Sequence, residues 1–173
     1  MPYSDPSNID WIKEKVSLIN PKSILDIGAG AGKYGKIVKN IFPECTISAI
    51  EVWKPYIDEF DLENIYDYLY VNDAREYKFE TSYDIIFLGD ILEHMTEKEA
   101  IDLWNNCLNY SKYVILSIPT IHYPQGHEHD NPYEEHIVDD WSHEKVINAF
   151  ECIKEFKNFD VTSSYLAKGK LWK

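Results

Sequence analysis

A strand that runs straight into a cluster of glycines leaves a chain few folds to choose from. This chain has one at Ser23-Ile24-Leu25-Asp26-Ile27-Gly28-Ala29-Gly30-Ala31-Gly32-Lys33-Tyr34-Gly35, where four of its seven glycines lie in the last eight residues. An apolar run ending in an aspartate, a tight turn and the start of a helix form the unit with which α/β domains make a nucleotide-cofactor pocket. Glycine serves there because the turn takes backbone angles that a side chain disfavours, and because the ligand packs against the main chain.

Spacing separates the cofactor classes that use such turns. A phosphate-cradling loop needs a glycine five residues before a Gly-Lys-Ser/Thr triplet, but Gly32-Lys33 is followed by Tyr34 and position 27 is Ile. A dinucleotide pattern, GxGxxG, occurs literally at Gly30, Gly32 and Gly35, yet its first glycine belongs directly after the strand, where Gly28 stands. Counted from the strand end, the fit is Asp26-x-Gly28-x-Gly30-x-Gly32, which resembles the first motif of the class I S-adenosylmethionine-dependent methyltransferases. The carboxylate makes physical sense of the match. A pyrophosphate at the helix start would be repelled by Asp26, whereas S-adenosylmethionine brings an ammonium and a sulfonium.

Further along, Thr46-Ile47-Ser48-Ala49-Ile50-Glu51 reads as a second strand ending in a carboxylate, 19 residues after Gly32. An acidic side chain there can accept hydrogen bonds from both ribose hydroxyls, a geometry that nicotinamide-binding folds share. Tyr68-Leu69-Tyr70-Val71 reads as a third strand, followed by Asp73-Ala74. Tyr83-Asp84-Ile85-Ile86-Phe87-Leu88-Gly89-Asp90-Ile91-Leu92-Glu93-His94-Met95 is a buried strand entering a loop, and it resembles the fourth-strand motif of small-molecule methyltransferases, an acidic residue followed by Leu-Glu-His. The resemblance implies S-adenosylmethionine as cofactor. It assigns Asp26, Gly28, Ala29, Gly30 and Gly32 to the cofactor turn, Glu51 and Val52 to the ribose, Asp73 and Ala74 to the adenine, and Gly89 and Asp90 to the methionine end. His94 would stand near the mouth as a candidate general base or as a residue hydrogen-bonded within its loop. Asp73 has a purely local alternative, capping a short helix after it.

The rest of the pattern completes an α/β domain. Ile9, Ile12, Val16 and Ile19 mark a helix from Asn8 to Ile19, and others are expected from about Gly32 to Asn40, Thr96 to Asn109 and Ser142 to Phe150. Tyr113 to Ile118 is a fifth strand, and a terminal pair is expected near Ile153–Lys157 and Val161–Lys168. Strands that are apolar throughout and alternate with helices argue a parallel sheet covered on both faces. The resemblance makes this a Rossmann-like, doubly wound, three-layer α/β/α sandwich, mostly parallel and seven-stranded, with a final antiparallel strand. Residues 1–173 form one domain.

Charge narrows the partners. With 30 acidic residues against 17 basic, a formal net charge of −13 and Arg75 as the sole arginine, the chain is ill suited to polynucleotides, whose phosphates need neutralising. A small-molecule acceptor is expected instead; the reading leaves the oligomeric state open. No apolar run reaches the ~20 residues that span a bilayer, and Met1 to Asp10 carries no charged start and apolar stretch, so a cytoplasmic location is expected. Cys45, Cys107 and Cys152 have no metal or redox spacing and are expected to pack as small hydrophobes.

The polar segment 119–141, Pro119 to Trp141, is long and rich in functional side chains, as lids and binding loops are. It holds four of the six histidines. Its Tyr123-Pro124-Gln125-Gly126 and Asn131-Pro132-Tyr133-Glu134 with His136 resemble an insertion in small bacterial and phage methyltransferases. His122, His127, His129 and His136 with Glu128 and Asp130 supply metal-ligand types without an established spacing, and no metal is counted among the site residues. Tyr133 and His136, with Tyr123, are expected to face the acceptor, from a mobile lid whose removal spares cofactor binding. Two other readings remain open at this stage. A nicotinamide-dependent oxidoreductase is disfavoured by glycine register, and a non-catalytic cofactor-binding subunit by the full motif set.

Overall fold

The computed structural model describes residues 5–172, so part of the stretch read for a leader lies outside it. Helix α1 (Ile9–Ile19) leads into β1 (Ser23–Ile27), and α2 (Lys33–Ile41) follows the glycine turn. Strand β2 (Thr46–Glu51), the short α3 (Lys54–Glu59) and β3 (Tyr68–Val71) come next, then β4 (Tyr83–Gly89) and α4 (Glu97–Asn109). The chain finishes through β5 (Ser111–Pro119), α5 (His143–Ala149), β6 (Ile153–Asn158) and β7 (Thr162–Lys168).

These strands form one seven-stranded sheet in the order β3-β2-β1-β4-β5-β7-β6. The pairs from β3 through β5 are parallel, while β7 runs antiparallel to both β5 and β6. The mostly parallel sheet with a reversed final strand thus has the architecture expected from the sequence.

Side-chain alternation explains why the central strands are apolar throughout. Leu25, Ile27, Ile86 and Leu88 point to the face covered by Leu103 and Trp104 of α4 and Val146 of α5. Ile24, Ile85 and Phe87 point to the other face, against Ile12 and Val16 of α1 and Ile37 and Val38 of α2. Each strand residue therefore meets a helix layer, so neither face of the strand needs polar side chains.

Local signals set the helix ends. Thr96 and Glu99 form a reciprocal capping box at the start of α4, and Ser142 caps α5 by accepting from the Lys145 N–H at 3.1 Å. Asn8, fully buried, donates to Ser117 Oγ and Ser164 Oγ at 3.1 Å each and accepts from Lys33 Nζ at 2.7 Å, tying the start of α1 to the far side of the sheet. Three local expectations change. Helix α3 is an addition, too short at six residues to show a period. Strand β5 begins two residues early, and Asp73 opens a turn, its carboxylate accepting from the Arg75 N–H, in place of a helix. Cys45 and Cys107 are buried, Cys152 is half-buried, and all three are free thiols. Among the described residues, no helix is long and apolar enough to cross a membrane.

Asp26 lies behind the turn. It is fully buried under the glycine turn, accepts a hydrogen bond from Tyr66 Oη at 2.5 Å, and stays off the pocket wall described below. Burial drives its pKa up from 3.8 to about 7, with the Tyr66 bond opposing the rise. A half-protonated carboxyl behind the turn does little to attract a cationic ligand; it supports the turn from beneath.

The shift has a consequence for stability. Between the ordinary value and the raised one, the native state holds a proton that the unfolded chain has lost. The contribution of Asp26 to stability is therefore complete below about pH 4, falls as pH rises toward about 7 and is flat beyond, having lost ~4 kcal/mol. In Asp26→Asn this contribution is expected to drop out of chemical-denaturation curves measured between pH 4 and 8, so that stability falls less steeply, or rises, relative to the parent. A slope equal to that of the parent would assign it to another group.

Candidate functional site

At the carboxyl ends of β1 and β4 the strand order reverses, and a pocket opens there. Gly28, Ala29 and Gly30 line it from the turn, Glu51 and Val52 from the end of β2, and Asp73 and Ala74 from beyond β3. Gly89, Asp90 and His94 line it from the end of β4, and Tyr133 from the long loop. Of the residues expected to touch cofactor or acceptor, Asp26, Gly32, Tyr123 and His136 are absent from this wall. Gly32 instead caps α2 with a left-handed backbone (φ 73°), and a Cβ there would meet Ile65 Cδ1 at 2.7 Å. Its requirement is steric.

Glu51 is held by backbone amides on both of its oxygens. Its Oε2 accepts from the Gly30 N–H at 2.9 Å and its Oε1 from the Trp53 N–H at 2.8 Å, so the exits of β1 and β2 are pinned to one side chain. Each oxygen keeps a further lone pair for a ligand donor. Burial holds this carboxyl above the ordinary carboxylate value, with the amides of Trp53 and Gly30 opposing. Gly28 has φ 74°, and its N–H donates to the Ile50 carbonyl at 2.9 Å, which presses the turn onto β2.

Asp73 is engaged by Arg75, whose Nε donates to Oδ1 at 2.9 Å and whose terminal nitrogen donates to Oδ2 at 2.5 Å. Arg75 holds the Asp73 carboxyl below its ordinary value. Asp90 takes the left-handed conformation at φ 51°, its N–H bonded to the Ser117 carbonyl and its Oδ1 accepting from Ser117 Oγ at 3.2 Å. Such a backbone on a non-glycine residue is costly and is held here by those bonds to β5. Gly89 lets Tyr34 approach: a Cβ would lie 2.0 Å from that ring, which stacks on Phe87 and lines the pocket.

The long loop reaches further than the sequence suggested. The Ile137 and Val138 N–H groups both donate to the Glu93 carbonyl, at 2.9 and 3.1 Å, and the Tyr123 N–H donates to the Asp139 carbonyl at 2.8 Å. Trp141 anchors its end in the core at 1% exposure. From this frame Asn131, Tyr133 and Glu134 enter the same pocket wall as Glu51. Glu134 Oε1 accepts from Tyr56 Oη at 3.0 Å, and Tyr133 lies 6.4 Å from the Trp53 ring, centroid to centroid. Tyr133 thus stands at the β2 side. His136 is on the other side, its ring 4.8 Å from that of His94. Burial lowers the pKa of His94 to about 4, with His136 adding to the shift, and lowers that of His136 as well. Both are neutral at physiological pH.

Sequence reasoning also passed over Tyr34, Tyr56, Arg75, Ile91, Met95, Asn131 and Glu134 as wall residues. Ile91 and Met95 flank the Leu-Glu-His motif and Glu134 follows Tyr133, so adjacency was the available signal. Tyr56 belongs to the helix that showed no period.

The architecture has many solved counterparts. An S-adenosylmethionine-dependent methyltransferase from Clostridium acetobutylicum superposes with a TM-score of 0.71 at 14% identity, over 92% of this chain and 89% of that one. This is the class I methyltransferase fold. The N-terminal domain of EvdMO1, solved with S-adenosylhomocysteine bound, gives 0.70 at 13% identity over 96% of this chain and 83% of that one. Mitomycin 7-O-methyltransferase MmcR gives 0.65 at 11% identity over 94% of this chain, which spans about half (54%) of its length. No protein-family model and no curated protein matches the sequence.

Because the loop contributes Asn131, Tyr133 and Glu134 to the wall that Glu51 shares, its removal is no longer expected to spare cofactor binding. Replacing residues 122–140 with a short Gly-Ser turn should weaken S-adenosylhomocysteine binding by roughly tenfold or more in calorimetry, as for losing one or two hydrogen-bonding groups. An unchanged titration would confine the loop to the acceptor side.

Proposed function

We propose that this chain transfers the methyl group of S-adenosylmethionine to an oxygen of a small-molecule acceptor. The observation that carries the reading is the charge of the pocket. Its wall bears four carboxylate side chains, Glu51, Asp73, Asp90 and Glu134, and one guanidinium, Arg75, already paired with Asp73. A pyrophosphate would enter this wall against like charge, while a sulfonium and an ammonium enter with it. This favours the methyl donor over a dinucleotide in a fold that accommodates either.

Within the pocket Glu51 would accept from the ribose hydroxyls, and Gly28 to Gly30 would present backbone to the adenosyl group. Ala74 would lie against the adenine, and Asp90 near the methionine end. Asp73, bound by Arg75, would shape the adenine side more than it donates or accepts there. The acceptor would meet the donor methyl between the turn after β4 and the loop. Most of the rate enhancement is then alignment and exclusion of water, as suits an in-line displacement at carbon. A chain charge of −13 makes a polynucleotide acceptor a poor fit. That the acceptor atom is oxygen draws support from neighbours such as the mitomycin 7-O-methyltransferase.

Calorimetry against S-adenosylhomocysteine, S-adenosylmethionine and NAD tests the reading. Binding of the first two without NAD is expected, and Glu51→Ala should cost on the order of 1.5–3 kcal/mol, roughly 10- to 150-fold in affinity. Tight NAD binding with no response to the methyl donor would overturn the assignment. An unaltered affinity in the variant would remove Glu51 from the ribose site.

A further inference from the structure

Leu92 to His94 form a single helical turn directly after β4, and the two amides that clamp the Glu93 carbonyl bring the loop's His136 over that turn. Ligand atoms of Glu93, His94 and His136 all lie within 4.8 Å of one another. The side chains are prepared in a particular way. His94 Nδ1 lies 3.1 Å from the Glu135 carbonyl and His136 Nδ1 lies 2.6 Å from the Tyr123 carbonyl. A carbonyl only accepts, so in both rings Nδ1 carries the hydrogen and Nε2 keeps a free lone pair. Metal-binding histidines are oriented by this kind of bond from the opposite ring nitrogen.

Glu93 is the independent observation. It is 1% exposed, and neither of its carboxylate oxygens accepts a hydrogen bond from another residue. Asp90 and Glu134 add negative potential around it. A buried carboxyl without donors is costly to ionise, and it gives up its proton readily only where a cation meets it. Of the three, His94 lines the pocket, beside Asp90 and Met95, so the cluster touches the pocket through that ring while Glu93 and His136 are not part of the wall.

We propose that Glu93, His94 and His136 form a divalent metal site of two imidazoles and one carboxylate, with coordination positions left for an exogenous oxygen. Two nitrogen donors of three select a first-row transition ion such as Mn²⁺, Co²⁺ or Zn²⁺ over Mg²⁺ or Ca²⁺, which prefer oxygen ligands throughout. The site differs from the sequence-derived grouping. His127 reaches only the exposed Glu135, at 3.3 Å, and among the described residues neither it nor His129 joins the cluster. The role in catalysis rests on the proposed methyl transfer. An acceptor hydroxyl bound to the ion releases its proton to water, its oxygen forms the O–CH₃ bond, and the S–CH₃ electron pair returns to sulfur, leaving S-adenosylhomocysteine.

The test is titration of chelator-treated protein with Co²⁺, followed by visible absorption and calorimetry, beside a separate S-adenosylhomocysteine titration. One ion per chain is expected, with affinity falling more than about 100-fold in His136→Ala, beyond the 10- to 100-fold of losing an outer hydrogen bond. His127→Ala and His129→Ala should bind as the parent does. Glu93→Gln, checked for folding by circular dichroism, should lose the ion as well; should it fail to fold, His136→Ala carries the test alone. Stoichiometric Co²⁺ without S-adenosylhomocysteine binding would support the site and overturn the methyl-donor reading. Cofactor binding without Co²⁺, or Co²⁺ binding that survives His136→Ala, would overturn the site alone.

Discussion

The reversal of strand order between β1 and β4 is the constraint from which the rest of this molecule follows. The chain winds outward from β1 through β2 to β3, then returns to the other side of β1 for β4 and β5. Loops leaving β1 and β4 must therefore part in opposite directions, which opens a crevice at their carboxyl ends that no side chain fills. The glycine turn forms one lip and Asp90 to Met95 the other. Helices on both faces bury the central strands β1 and β4, so the lips rest on a rigid base and the functional groups stand at its rim.

Three buried carboxylates around this crevice show how environment divides one chemistry into different uses. Asp26 accepts from the Tyr66 hydroxyl and the Gly35 backbone, yet burial outweighs both and its pKa rises to about 7, so near neutrality it is a structural, partly protonated group. Glu51 has two backbone amides, from Gly30 and Trp53, and remains an acceptor with lone pairs to spare. Glu93 has no donor from another residue but has two imidazoles close by. The amides make Glu51 fit for hydroxyl groups, and the imidazoles make Glu93 fit for an ion. Burial is common to all three, so the donors decide.

What could be read from the sequence follows the range of the interactions involved. The glycine turn and the apolar strands are local patterns, and each was legible because its cause lies within a few residues. Asp26 was legible as part of a motif but not as a buried group, because the Tyr66 hydroxyl that covers it comes from 40 residues away. The Glu93–His136 association rests on amides of Ile137 and Val138 more than 40 residues from Glu93, and nothing in spacing reports it. Histidine count pointed to the loop, and the loop's most conspicuous pair, His127 and His129, remained in solvent.

The loop itself carries the last step. Its backbone bonds to Glu93 hold one end at the side of the crevice where β4 exits, and Glu134 receives Tyr56 from α3 at the side where β2 exits. One segment thus bridges both sides of the pocket. A group bound at Glu51 and a group bound at His94 would share this bridge, so either could order the segment for the other without any movement of the sheet. The parallel strands fix both rims, and the loop joins them through its backbone bonds to Glu93 and the Tyr56–Glu134 bond.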